Sequence, residues 1–341
     1  MKKAFLLSAL ASGLIAAACN GGGSSGTGGG PDGGSPSSSG GSTATVLVDG
    51  EKAWGVAVDG SDLFWTSNAD PVASIRKASL DGTGEVTLCT FQQYDSAEPL
   101  VVDASDVYAL AGTGSANVYK VSRTATSGGD CTPLLDPTKY TFSVAWGIAQ
   151  TASRVYFALA PATDMQSTAF GFIDKASGQV TEIAVVTDRV LGGIAADDQY
   201  IYFSGGPLTQ EKLQRLAASA GSTPSVVADG QYLDPVLDGS RLFGSSGSVD
   251  LTSGAPGNPE TAFSPELPLG STLGDIAISG DELFELRGGG GTPGSVWHGP
   301  KAGGTFRKLC DAGTFPNRIA AGTTAVFFTD TDDGTIRKAT R

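Results

Sequence analysis

Histidine is nearly absent from this chain: there is one, His298, in 341 residues. A lone histidine cannot build a histidine-based metal site, and neither an H-E-x-x-H nor a Cys-x-x-Cys motif is present. On a strand such a residue faces solvent or packs. Basic side chains are also scarce, 22 against 35 acidic ones, for a formal net charge of −13. That balance excludes nucleic acid, and it excludes adhesion of the protein surface to anionic lipid. Helical periodicity is weak, and no apolar run reaches the roughly 20 residues of a spanning helix. Glycine runs such as Gly288–Gly291 follow no strand-to-helix pattern, so they are not phosphate loops. Asp330-Thr331-Asp332-Asp333-Gly334 opens like a calcium loop but lacks the distal Glu. No cofactor and no metal are expected.

What is present is one phrase, repeated seven times. An apolar run with Gly or Pro nearby is followed by a polar turn and a second run rich in aromatics. The openings are Trp54, Pro99, Trp146, Gly192, Asp234, Leu273 and Pro316, spaced by 45, 47, 46, 42, 39 and 43 residues. A period in this range marks units too small to bury their own apolar faces. Unit one shows four short strands with turns between them: Gly55–Val58, Leu63–Thr66, Ser74–Ala78 and Val86–Cys89. Aromatic and β-branched residues in the second runs, such as Val155-Tyr156-Phe157 and Ile201-Tyr202-Phe203, suit strands packed on both faces. Four strands per unit predicts an all-β, seven-bladed β-propeller of antiparallel blades over residues 43–341. Unit five is degraded, with Ser248–Leu251 serving as its third strand, and six blades are the alternative if it is an insertion. Unit seven stops after three strands, while Thr45–Asp49 has no unit of its own. The N-terminal strand is therefore expected to close the last blade and hide its edge.

Phe64-Trp65-Thr66-Ser67-Asn68, Phe327-Phe328-Thr329-Asp330 and the Ile-Arg-Lys-Ala segments at Ile75–Ala78 and Ile336–Ala339 resemble YWTD-type and NHL-type propeller repeats. The resemblance spans about residues 45–341. Its motifs are degenerate, so it speaks for the fold and little for function.

The start of the chain has a different character. Met1-Lys2-Lys3 is basic, and Ala4–Ala18 is an apolar, small-residue run of signal-peptide length. It leads into Ile15-Ala16-Ala17-Ala18-Cys19, which resembles the bacterial lipobox. The resemblance implies a signal over 1–18 and a lipid on Cys19. Ala16 stands where the lipobox usually has Leu, and an ordinary small-x-small cleavage site is the other reading. Residues 19–42 are Gly, Ser, Thr and Pro with almost nothing to bury, a disordered tether. Such a coil reaches on the order of 25 Å, enough to clear a membrane surface.

Three cysteines remain. Cys89 and Cys131 fall in adjacent units and form the expected disulfide of an oxidising compartment. Aspartates recur at the ends of fourth strands, among them Asp136, Asp188, Asp229 and Asp311. Links from fourth to first strands cross one propeller face toward the channel, so these carboxylates, with Trp54 and Trp146, would ring its mouth. That rim suits a cationic or polyhydroxylated ligand, while turn capping is the simpler role for the same aspartates. The chain reads as a lipid-anchored, non-catalytic binding scaffold of the bacterial envelope or cell surface. Its expected partners are the membrane, through the lipid, and an envelope protein or small ligand; as a protein it is a monomer. The alternative is an enzyme of the lyase or lactone hydrolase type that some similar propellers host, using channel carboxylates.

Overall fold

The computed structural model of the chain describes residues 44–69, 72–91, 96–187, 190–206, 211–245, 247–253, 273–289 and 292–341. All belong to the unit Gly41–Arg341. Residues 1–18, expected as a signal, Cys19 and residues 19–42, expected as a tether, lie outside the described residues, as does Asp188.

Seven sheets follow one another along the chain. Blade one is typical: Ala53–Asp59 inside, then Asp62–Ser67, Ser74–Ser79 and Val86–Thr90 outward, each antiparallel to the last. Successive residues of the second strands face opposite neighbours, so every blade fills two interfaces. Leu63 and Trp65 pack toward blade seven, whereas Phe64 packs toward blade two. Tyr156 faces blade four while Phe157 faces blade two. Seven apolar clusters result, one between each consecutive pair, and the cluster of Phe327, Ile336, Leu63 and Trp65 joins blade seven to blade one. The ring is closed by packing. It is also closed by pairing: Thr45–Val48 is the outer strand of blade seven, with Thr45 opposite Lys338 and Val46 opposite Arg337.

Blade five is a sheet of its own, Val236–Asp238, Arg241–Gly244 and Gly247–Asp250, so the count is seven and not six. The stretch 254–272 beyond it lies outside the described residues. Where other second strands carry Trp65, Phe157 or Phe203, this one has Gly244. Tyr232 fills the space, approaching to 2.7 Å of where a Gly244 Cβ would stand. Blade two departs from expectation as well. Its fourth strand is Thr132–Pro133 and stops short of Asp136, its expected end. The Leu134 N–H still reaches the Val118 carbonyl at 2.9 Å, but the buried Asn117 side chain then takes both the N–H of Leu135, at 2.8 Å, and its carbonyl, at 2.9 Å. Gly129–Asp130 instead adds a fifth, parallel strand to blade one, beside the Cys89–Cys131 disulfide (Cα–Cα 5.0 Å).

A charge clamp fastens the blades to one another. One position, directly after each third strand, donates its backbone N–H to the first-to-second-strand turn of its own blade, as Arg123, Lys175, Lys301 and Arg341 do. Their side chains reach back to the preceding blade. Lys175 binds Asp103 at 2.8 Å, Lys301 binds Asp238 at 2.6 Å, Arg123 holds Asp59 and Asp62, and Arg341 holds Glu282.

Candidate functional site: the central channel

The Gly and Pro of the repeat phrase mark β-bulges. The register slips between first and second strands at Ala53/Val56, Ala97/Leu100, Thr141/Trp146, Leu191/Ile194, Leu273/Asp275 and Pro316/Ile319. A bulge needs residues that dispense with the ladder or with ordinary backbone angles, which selects Pro and Gly. Gly192 shows the need. Its φ is +71°, and a Cβ there would stand 2.9 Å from the Asp234 backbone nitrogen. Threonine hydroxyls catch the displaced N–H groups: Thr66 accepts from Gly55 at 2.8 Å and Thr329 from Arg318 at 3.1 Å. This gives the threonine of the Trp-Thr and Phe-Thr pairs a physical role.

Residues from all seven blades, six of them bulged, line the channel around a cavity of about 140 Å³. Three charged groups meet there. Arg318 binds Asp234 at 2.6 Å and lies 3.9 Å from Asp275. Asp234 also accepts the Gly193 N–H at 2.8 Å and stands at φ 41°, a left-handed conformation uncommon outside glycine. Asp275 accepts the N–H groups of Ile276 at 2.8 Å and Ile319 at 2.9 Å. Burial pushes the Asp275 carboxyl up to about 7, with Arg318 opposing the rise and Asp234 adding to it.

Folding thus favours protonated Asp275. Its contribution to stability is complete below the ordinary carboxylate value of 3.8 and is lost as pH rises through about 7. Between about pH 5 and 8 the wild type should lose roughly 2 kcal/mol from this group, and Asp275→Asn should flatten that slope. Urea unfolding at several pH values measures it; an unchanged slope in the variant refutes the assignment.

The rim expected from sequence is dispersed. Trp54 stands near the start of the inner strand of blade one, half-buried, its carbonyl accepting the Thr329 hydroxyl at 3.1 Å, and it is not among the residues lining the cavity. The inner strand of blade three carries Trp146 opposite Leu159, but its side chain lies outside the described residues. Asp136, Asp229 and Asp311 are exposed on or beside outer strands, and none lines the cavity. Asp136 caps a turn through the N–H and hydroxyl of Thr138, Asp229 pairs with Lys212 at 3.3 Å, and Asp311 sits inside its strand beside Lys308. Their carboxylates satisfy local donors, and an outer strand stands three strands away from the channel. The acidic groups that do converge, Asp234 and Asp275, belong to the openings of repeats five and six. Their position in the repeat was the available signal; their charge pairing with Arg318 across repeats was not visible.

The other acidic candidates hold the frame. Asp330 is buried and accepts N–H groups from Thr314 and Phe315, tying the link into blade seven. Gly313, at φ +90°, must be glycine, since a Cβ would lie 1.7 Å from that carboxylate. His298 stacks on Phe284 and contacts Glu282 at 3.3 Å. Among the described residues no group of three or more His, Cys, Asp or Glu is placed to hold a metal ion.

Solved structures share this architecture. The chain superposes on an oligogalacturonate lyase in complex with manganese with a TM-score of 0.60, at 14% identity over 89% of this chain and 94% of that one. The U3-55K structure gives 0.57 at 11% identity, covering 88% and 98%, and a chain of the mitotic checkpoint complex gives 0.56 at 12%, covering 92% and 96%. At such identities the likeness is one of fold. No family profile and no curated protein matches the sequence.

Proposed function

We propose that this chain is a lipid-anchored propeller of the bacterial envelope that binds a partner protein at the channel mouth and performs no chemistry of its own. The observation that carries this reading is the size and state of the central site. A cavity of about 140 Å³ is below the roughly 300–1,000 Å³ of small-molecule sites and holds about four or five waters. It admits the tip of one side chain, and a partner would rest on the rigid rim around it. The charges inside are already matched, Arg318 to Asp234, and both oxygens of Asp275 accept backbone N–H groups. A carboxyl near 7 is the kind a general acid needs, which is what favours the enzyme reading. Its engaged oxygens leave it poorly presented to a substrate, so that reading stands second.

Export is supported by the lipobox-like Ile15–Cys19 segment and by the Cys89–Cys131 bond, which needs an oxidising compartment. Cys19→Ser should move the protein from the membrane to the soluble fraction; wild-type protein that fractionates as soluble without detergent refutes the anchor. For binding, a photo-crosslinking residue at Trp54 should capture one discrete envelope partner, while the same probe at Val226 on an outer strand should not. Equal capture at both positions, or none at Trp54, removes the channel-mouth reading and the part in it given to Trp54.

A further inference from the structure

The central cavity has two unlike sides. Blades one to four line it with the apolar side chains of Val56, Leu100, Ile148 and Ile194. The openings of repeats five to seven line it with Asp234, Asp275 and Arg318. Consecutive blades are neighbours in the ring, so the two sets occupy opposite arcs of the wall.

The charged arc is one cation short. It holds two carboxylates and one guanidinium. Arg318 is bonded to Asp234 at 2.6 Å and stands 3.9 Å from Asp275. Asp275 receives the N–H groups of Ile276 and Ile319, which are neutral donors. The upward push on its carboxyl, from burial and from Asp234, reports the same deficit. In the second strand of its own blade, Glu285 and Arg287 are bonded to each other at 2.9 Å. Each oxygen of Asp275 keeps a second acceptor site for an added donor.

This wall selects among ligands by charge. An anion would add to two carboxylates around one guanidinium. A neutral apolar tip would bury Asp275 without giving it a counter-charge. A cation on an apolar stem suits both arcs, with its methylenes along the aliphatic wall and its charge at the carboxylates. A lysine side chain has that form, a four-carbon stem ending in a compact ammonium. Its roughly five heavy atoms match a cavity of about 140 Å³, which holds about four or five waters.

We propose that the partner seated on the channel mouth inserts a lysine side chain into this cavity, its ammonium beside Asp275 and Asp234 and its stem against the apolar arc. The inference rests on the partner-binding reading above and names the residue that the partner offers. A proton leaves as the lysine enters. Ammonium favours the ionised form of Asp275, whose carboxyl otherwise releases its proton only near about 7. Lysine keeps its own charge well above that pH.

The test is an NMR titration of the full chain with Nα-acetyl-lysine methylamide. It needs no partner, so it and the Trp54 crosslink fail separately. The norleucine and glutamate analogues are the neutral and anionic controls. At about pH 8 the lysine analogue should bind saturably below about 50 mM, at least about 10-fold more tightly than the norleucine analogue. The glutamate analogue should not bind. Affinity for the lysine analogue should fall about 10-fold or more between about pH 8 and about pH 5.5, and Asp275→Asn should abolish that fall. The Asp275 carboxyl carbon should titrate at lower pH when the lysine analogue is bound. Should Asp275→Asn fail to fold, the wild-type pH profile and the carboxyl titration decide. Equal binding of the norleucine analogue, binding of the glutamate analogue, affinity indifferent to pH, or no saturable binding by about 50 mM overturns the proposal.

Discussion

Replacing Arg318 with Ala should lower the stability of the ring by about 3–5 kcal/mol near pH 8, the cost of leaving buried charge uncompensated. Arg318 is the cation between Asp234 and Asp275, and all three side chains are mostly buried. Without it, Asp234 loses a 2.6 Å partner while its backbone still stands at φ 41°. Asp275 loses the influence that opposes its upward shift. The loss should shrink toward about pH 5, because the protonated carboxyl needs no cation. Arg318→Lys should cost less, since it restores charge without the planar fork. Urea midpoints at the two pH values decide the matter. A loss under about 1 kcal/mol, or one independent of pH, would mean that the triad does not hold the channel together.

The double variant Cys89→Ala, Cys131→Ala should cost about as much, roughly 4 kcal/mol by the chain-entropy relation for a bridge with a sequence separation of 42. The bond lies at the edge of blade one, where the Cys131 N–H also donates to Thr90 O at 2.9 Å. It therefore fastens the link between blades one and two where only the two-residue parallel strand Gly129–Asp130 pairs. Unfolding and refolding the wild type in reductant should reproduce the loss. If neither treatment moves the midpoint, the bond does not contribute. Cys310 should not substitute for either partner: it is buried, and burial and then Asp311 push its thiol up to about 11.

The closing strand was legible because two incomplete ends of a repeat had one economical solution, and Thr45–Val48 takes it. The inner and second strands were legible for a related reason. A strand buried on both faces cannot alternate with polar residues, so runs such as Val155–Leu159 stand out. Blade five was harder, because its missing aromatic is supplied by Tyr232 from the preceding link. The clamp formed by Arg123, Lys175, Lys301 and Arg341 was present as a recurrence after the third strands, yet its targets lie 59 to 72 residues away. Nor did the run Glu282–Arg287 announce that Glu285 and Arg287 would both be buried, bonded at 2.9 Å, with Arg287 over the Trp297 ring.

The sequence by itself determined the period, the strand order within a blade and the way the ring closes, while the sheet at Val236–Asp250 settled seven blades over six. The first three follow from local patterning, which each unit states on its own and repeats. Only the tertiary structure decided which carboxylates meet. The aspartates of the outer strands share a place in the repeat but diverge in space, each capping its own turn or pairing nearby. Asp234, Asp275 and Arg318 come from three different blades and meet because bulged inner strands converge on one axis. Convergence on an axis depends on the closed ring as a whole, and no window of sequence shorter than the ring contains it.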